Sequence, residues 1–242
     1  MIVNKSNFKE TEDYKLFQQI LQGVFKEEFS SLDRLIDFLE NKSDYFWAPA
    51  SVKYHNAFPG GLIAHSLNVY ETMTGLKERN NLDILPDESI AICGLLHDLG
   101  KVNFYVLEDI EATPKQKEYM KSLFSSSELK QFDEEGCTKA WATTLIDWVA
   151  KQERKGDIPK KSIAYKVQDG FPIGHSVRGL SLLQDLITLT NEEKLAIRWH
   201  SGIWEEVVGD DKLAFQKARN EYPLVNVLML ADYEAAFVKE VR

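Results

Sequence analysis

Cysteine is scarce in this chain. Two residues among 242, Cys93 and Cys137, cannot build a disulfide framework or a four-cysteine zinc site, so a reducing cytoplasm is the expected location. Long apolar runs are missing as well. The stretches around Leu224–Ala231 and Ile90–Leu96 fall short of the ~18 residues a membrane helix needs. Residues Met1–Glu12 carry no apolar stretch behind a basic cluster, so no signal peptide is expected. Positive charge is in deficit: 29 Lys and Arg stand against 38 Asp and Glu, a formal net charge of −9. That balance opposes wrapping a long phosphate backbone and points to a small substrate, with no duplex DNA and no membrane as partner. Internal repeats and low-complexity tracts are absent too. What is there, 44% hydrophobic and 28% charged residues, is the composition of a soluble globular protein with one large domain or two small ones.

Apolar residues recur at helical spacing through most of the sequence, and period-two alternation occurs only briefly near Ile163–Val167, which predicts an all-α fold. Phe17, Ile20, Leu21 and Val24 mark one helix face, and Leu32, Leu35, Ile36 and Leu39 a second. These form an N-terminal helical extension, residues 1–50, expected to pack on a core domain of residues 51–242. A third helix is expected after Pro59-Gly60-Gly61, and a fourth from Pro86 to Gly100 with Asp87 and Glu88 in its first turn. From Glu108 to Ser162 the chain is highly charged and is read as an insertion or lid, with one helix carrying Trp141, Leu145, Trp148 and Val149 on one face. Helices are then expected from Gly174 to Leu189, from Thr190 to near Gly202, and from Pro223 to Lys239. Thr190 with Glu193 forms a capping box.

Histidines and aspartates fall where solvent does not reach. His65 shares a face with Leu62, Val69, Met73 and Leu76; His175 with Leu182 and Leu186; His200 follows Ala196 and Ile197. Asp232 is surrounded at helical spacing by Val225, Leu228, Met229, Ala235 and Ala236, and His97-Asp98 sits inside an apolar run. A buried carboxylate is costly unless paired or metal-bound, and any one of these residues alone reads as a hydrogen-bonded core group. Six of them, four imidazoles and two carboxylates without cysteine, suit an N/O site for divalent metal ions: Mn, Fe, Co, Ni, Zn or Mg.

His65, the pair His97-Asp98 and the late Asp232 form an H…HD…D pattern that resembles the HD-domain superfamily. Gly60-Gly61-Leu62-Ile63-Ala64-His65-Ser66-Leu67 and Leu96-His97-Asp98-Leu99-Gly100-Lys101 are similar to its signature stretches. Gly174-His175 and Trp199-His200 resemble the two further histidines of its dinuclear members. The resemblance runs from about Ser51 to the C-terminus, leaving out Glu108–Ser162, and implies a helical fold holding metals between helices. It implies one ion on His65, His97, Asp98 and Asp232, and a second on Asp98 as bridge with His175 and His200. The chain departs from the cyclic-dinucleotide phosphodiesterase branch, since Ser201 follows His200 and no GYP occurs.

Such a site suits phosphoester hydrolysis. Lys101 reads either as a lysine favoured at a helix C-terminus or as a cation for transition-state charge, and the family's HDxGK form implies the second. His55 is a candidate general acid, with a supporting or surface role as the alternative. Arg178 is a candidate phosphate clamp or an exposed helix arginine. Phe58, Phe171, Trp204 and Tyr233 are candidates for stacking on a base, or simply packing residues. Lys160-Lys161 is a local basic patch. The expected function is a metal-dependent phosphohydrolase acting on a nucleotide or a short nucleotide phosphodiester. Diiron oxygenases of the same superfamily, 3'-5' exonucleases on single strands, and a non-catalytic binding module are the alternatives.

Overall fold

The computed structural model describes residues 2–25, 29–52, 54–108, 110–151, 154, 158, 163–202 and 210–240. Trp204, Lys160 and Lys161 lie outside them. Among the described residues there are eleven α-helices and one two-stranded sheet, so the fold is all-α as expected.

The chain divides into two compact units, one of residues 1–105 and 167–242, the other of residues 106–166. In the first unit, α1 (Glu12–Val24) starts where Thr11 Oγ1 accepts from Tyr14 N, and it buries Phe17 and Leu21, four residues apart, on one face. Helix α2 (Phe29–Asp37) runs into a π turn, Phe38–Lys42, and buries Leu35 and Leu39. Both join the core of the later helices, against which α1 packs through α3 and α4.

Helix α3 (Gly61–Arg79) carries His65 inward. Its start depends on Gly61, because a Cβ there would fall 1.9 Å from the Asn56 carbonyl oxygen. Helix α4 (Asp87–Leu96) follows Pro86 and is buried from Ser89 to Leu96 on every side, which makes it the centre of the unit. It stops at Leu96, four residues before the expected end at Gly100. His97 and Asp98 form a turn, and Leu99–Lys101 a short 3-10 helix. The polar pair His97-Asp98 follows the last helical residue directly, and a close tertiary contact follows at Gly100. A Cβ at Gly100 would lie 1.9 Å from His175 O and 2.8 Å from Gly179 N, so α8 (His175–Leu186) presses its backbone onto this turn.

Helix α9 (Asn191–Trp199) has the expected capping box, Thr190 with Glu193. Glu193 is buried and also accepts from Ser89 Oγ at 2.7 Å, tying α9 to α4. Helix α10 (Asp210–Glu221) was not expected, since its apolar positions are few. Helix α11 (Pro223–Glu234) starts with Leu224 N donating to Glu192 and continues as a π turn, Ala235–Lys239.

The second unit has its own apolar core. Helices α5 (Pro114–Leu123), α6 (Ser126–Glu134) and α7 (Lys139–Ala150) surround Met120, Phe124, Phe132, Trp141, Leu145 and Trp148. Capping boxes at Thr113/Gln116 and Ser125/Glu128 start α5 and α6. The strands β1 (Tyr105–Leu107) and β2 (Tyr165–Val167) pair where the chain passes from one unit to the other and back. The alternation read near Ile163–Val167 is the second of them.

Candidate metal centre

Five elements of the first unit bring His65, His97, Asp98, His175, His200 and Asp232 to one place. His65 comes from α3, His97 and Asp98 from the turn after α4, His175 from the first turn of α8, His200 from the end of α9 and Asp232 from α11. His65, His97, Asp98 and His200 are at most 2% exposed.

Asp98 stands at the middle, and its two oxygens face different histidines. Oδ2 lies 3.6 Å from His65 Nε2 and 3.5 Å from His97 Nε2. Oδ1 lies 3.5 Å from His175 Nε2 and 3.4 Å from His200 Nε2. Asp232 Oδ1 adds a second carboxylate on the first side, 3.1 Å from His65 Nε2 and 4.0 Å from His97 Nε2. Asp98 thus lies between two pairs of histidines, and His97, His200 and Asp232 are also close enough to one another to share an ion.

The donor atoms are gathered within reach of a common ion, and Ser201 Oγ joins them at 3.1 Å from His175 Nε2 and 3.3 Å from His200 Nε2. His97 Nε2 is buried without a hydrogen-bond partner, and His65 Nε2 and Asp98 Oδ1 are held by ionic contacts, with Asp232 at 3.1 Å and with His200 at 3.4 Å, polar groups that a purely structural core rarely gathers. His175 Nε2 and His200 Nε2 are 3.2 Å apart, a spacing suited to two ligands of one ion. In His97 and His200 the other ring nitrogen is engaged from behind: His97 Nδ1 with Gly94 O at 3.0 Å, His200 Nδ1 with Ile197 O at 2.7 Å. Donation to a carbonyl fixes the tautomer that leaves Nε2 to a metal. An all-N/O set of this kind fits a divalent cation.

Charges in the cluster are tightly linked. Burial alone would raise the Asp98 carboxyl, but Lys101, His97 and His200 outweigh it and hold it well below the usual carboxylate range. Asp232 is lowered in the same way, burial being overcome by His65. Burial opposes a charge on His65, yet its bonds to Asp232 and Glu240 raise it to about 9. His200 is raised too, Asp98 overcoming the effect of burial. Lys101 Nζ donates to Asp98 Oδ2 at 2.7 Å, and this carboxylate raises the lysine against the effect of burial.

A cavity of about 480 Å³ opens on the cluster. Asp98, His175, His200 and Asp232 reach it, with Lys101 and His55 beside them; Met229, Leu230, Tyr233, Ala236 and Phe237 make an apolar wall, and Arg219 from α10 also lines it. The Tyr233 and Phe237 rings lie 5.0 Å apart, one helical turn from each other.

Three expectations about individual residues change. His55 does face the cavity, 4.8 Å ring to ring from His65. Burial, together with the charges of His65 and Lys101, pushes it down to about 4, so it is neutral near pH 7 and lacks the proton a general acid must give. Arg178 is absent from the cavity lining. Its Nη2 donates to Val102 O at 3.0 Å and its guanidinium lies 5.8 Å from the centre of the Phe104 ring, which anchors α8 to the chain after Lys101. Phe58 and Phe171 do not line the cavity, and Phe171 is exposed; of the candidate stacking residues Tyr233 does.

Glu240 and Arg219 escaped the sequence reading. Glu240 lies in a charged terminal stretch, Lys239-Glu240-Val241-Arg242, that reads as solvated. Arg219 sits on the helix that went unrecognised.

Among the described residues no helix is long and apolar enough to cross a membrane. A model of the family described as HD domain matches residues 62–236, well over half of the chain. No curated protein and no solved structure matches it.

Proposed function

We propose that this chain, which belongs to the HD domain family, hydrolyses a phosphoester of a nucleotide or of a short nucleotide phosphodiester. HD domains are in general metal-dependent phosphohydrolases that bind divalent ions, and the buried histidine and aspartate groups are compatible with such a site. The observation that carries the reading is the division of the four histidines between the two oxygens of Asp98, a carboxylate that reaches a cavity together with His175, His200, Asp232 and a lysine.

Divalent ions on these ligands supply Lewis acidity and a water ionised near neutral pH. The chain's own residues do the rest. Lys101 keeps its proton through its bond to Asp98, so an ammonium faces the place where negative charge builds on phosphorus. His55, neutral and with Nε2 unpartnered, is a hydrogen-bonding group for the substrate rather than a proton donor of the acid type. Tyr233 and Phe237 offer a ring surface to a base, and the apolar wall excludes water from the reacting end. Arg219 adds positive charge for a second anionic group of the substrate. The net charge of −9 and the cavity's size support a small molecule over a long strand or a duplex.

The test is metal analysis of protein purified without added ions, followed by a phosphate-release panel of nucleoside mono- and triphosphates with each metal restored. A bis-aryl phosphodiester and a labelled single strand complete the panel. Release from a nucleotide with Mn²⁺ or Co²⁺ is expected. Processive shortening of the strand would replace the nucleotide by a nucleic-acid end. No hydrolysis with any metal, alongside substrate-dependent oxygen uptake by the iron-loaded protein, would overturn the hydrolase in favour of an oxygenase.

A further inference from the structure

His65 differs from His97 and His200 in what holds it from behind. Those two engage backbone carbonyls, whereas His65 Nδ1 meets a carboxylate, Glu240, at 3.1 and 3.2 Å to its two oxygens. The Glu240 side chain is buried, and Asn68 Nδ2, one turn after His65 on α3, donates to the same Oε1 at 2.8 Å. Glu240 is therefore not a surface residue that swings onto the ring; it is clamped there.

Its arrival depends on an irregularity. Asp232 faces the opposite nitrogen of the same imidazole, Nε2, at 3.1 Å. Two turns of α-helix take about seven residues, so a residue eight positions on would be rotated away from that face. The π turn Ala235–Lys239, closed by Glu240 N donating to Ala235 O at 3.0 Å, takes up the extra residue and returns Glu240 to the side of Asp232. One continuous segment thus holds both nitrogens of His65.

We propose that Glu240 is a positioning residue of the metal centre: its carboxylate fixes Nδ1–H of His65, turns Nε2 towards the first ion and strengthens that ligand, with Asn68 holding the carboxylate in place. The inference rests on the reading of the cluster as a metal centre and is independent of the substrate. Such carboxylate partners typically change metal affinity by ~10–100-fold.

The experiment is chelator competition for Mn²⁺ on the full chain, with thermal unfolding of the metal-free protein in parallel. Glu240→Gln retains an acceptor oxygen and loses the charge; it is expected to weaken the first ion, the one on His65, by about tenfold. Glu240→Ala loses both and is expected to weaken it towards about a hundredfold, and Asn68→Ala, which leaves the carboxylate in place, by a smaller factor. A merely structural role would lower the unfolding temperature of the metal-free variants while leaving Mn²⁺ affinity of the folded protein at the wild-type value, and that result overturns the proposal. Should a Glu240 variant fail to fold, wild-type affinity in Asn68→Ala would overturn it by itself. Failure of the wild type to take up Mn²⁺ would overturn it together with the metal centre. Absence of phosphate release with normal Mn²⁺ uptake would count against the proposed function alone.

Discussion

The two compact units are built by the same rules to different ends. Residues 106–166 form helices with complete capping boxes around Phe132, Trp141 and Leu145, and the described residues of that unit hold no group of histidine, cysteine and carboxylate side chains close enough to share an ion. The other unit buries three carboxylates, Asp98, Glu193 and Glu240, and several imidazoles among its helices, and leaves some polar atoms there unpartnered. Polar burial is costly in either place. Where a chain makes apolar cores in both of its units, a polar cluster set into one of them is evidence of chemistry rather than of poor packing.

The sharpest way to break this comparison is to remove the bridge. Asp98→Ala should lose both ions and all phosphate release, while Asp232→Ala should lose mainly the first ion; metal content of each folded variant decides. Two ions retained in Asp98→Ala would show that the halves of the cluster are not joined through it. Next come His175→Ala and His200→Ala, expected to keep one ion per chain and to lower turnover by ~10²–10³-fold. Wild-type turnover in both would leave only the first group of ligands at work.

Trp141→Ala acts on the other side of the comparison. Cutting a large side chain from the core of residues 106–166 should cost about 3–5 kcal/mol in the stability of that unit, read by denaturant unfolding, with ion content unchanged. A change in ion content would mean that the two units are not separate in function.

The smallest effect is one of pH. His65 in the metal-free fold titrates at about 9 against about 6.5 in a free chain, so it binds a proton more tightly when folded. The stability this contributes is complete below pH ~6.5 and is lost as pH rises through about 9. His55, held down to about 4 in the fold, binds a proton near pH 6.5 only in the unfolded chain, so it opposes this change slightly at the lower end of the window. Thermal unfolding in chelator should therefore occur at lower temperature at pH 9 than at pH 6.5, and the Mn²⁺-loaded protein should show less of this fall.

Much of the site was legible because burying charge is rare enough to stand out. Asp232 among Val225, Leu228 and Met229 is visible as an inward carboxylate from spacing alone, and the structure places it against His65. Helix faces such as Phe17 with Leu21 were legible for the same reason, since period and burial coincide. What was not legible depended on contacts between distant segments. The close approach of the α8 backbone to Gly100 joins positions 75 or more residues apart, which no local pattern announces. Arg178 has the chemistry of a phosphate ligand, but its partner, the Val102 carbonyl, lies 76 positions away. Glu240 needs a π turn to reach its histidine, and regular helical counting directs it elsewhere.

The pairing of His65 with Glu240 spans 175 positions of sequence. A contact so remote closes late in folding, because the entropy of bringing its ends together must be met before the contact repays it. During synthesis His65, His97 and Asp98 are therefore made before Asp232 and Glu240, the carboxylates that face His65. His65 cannot meet Glu240 until 175 further residues have been made, so the set of partners around this imidazole is completed only when the segment after α11 is in place.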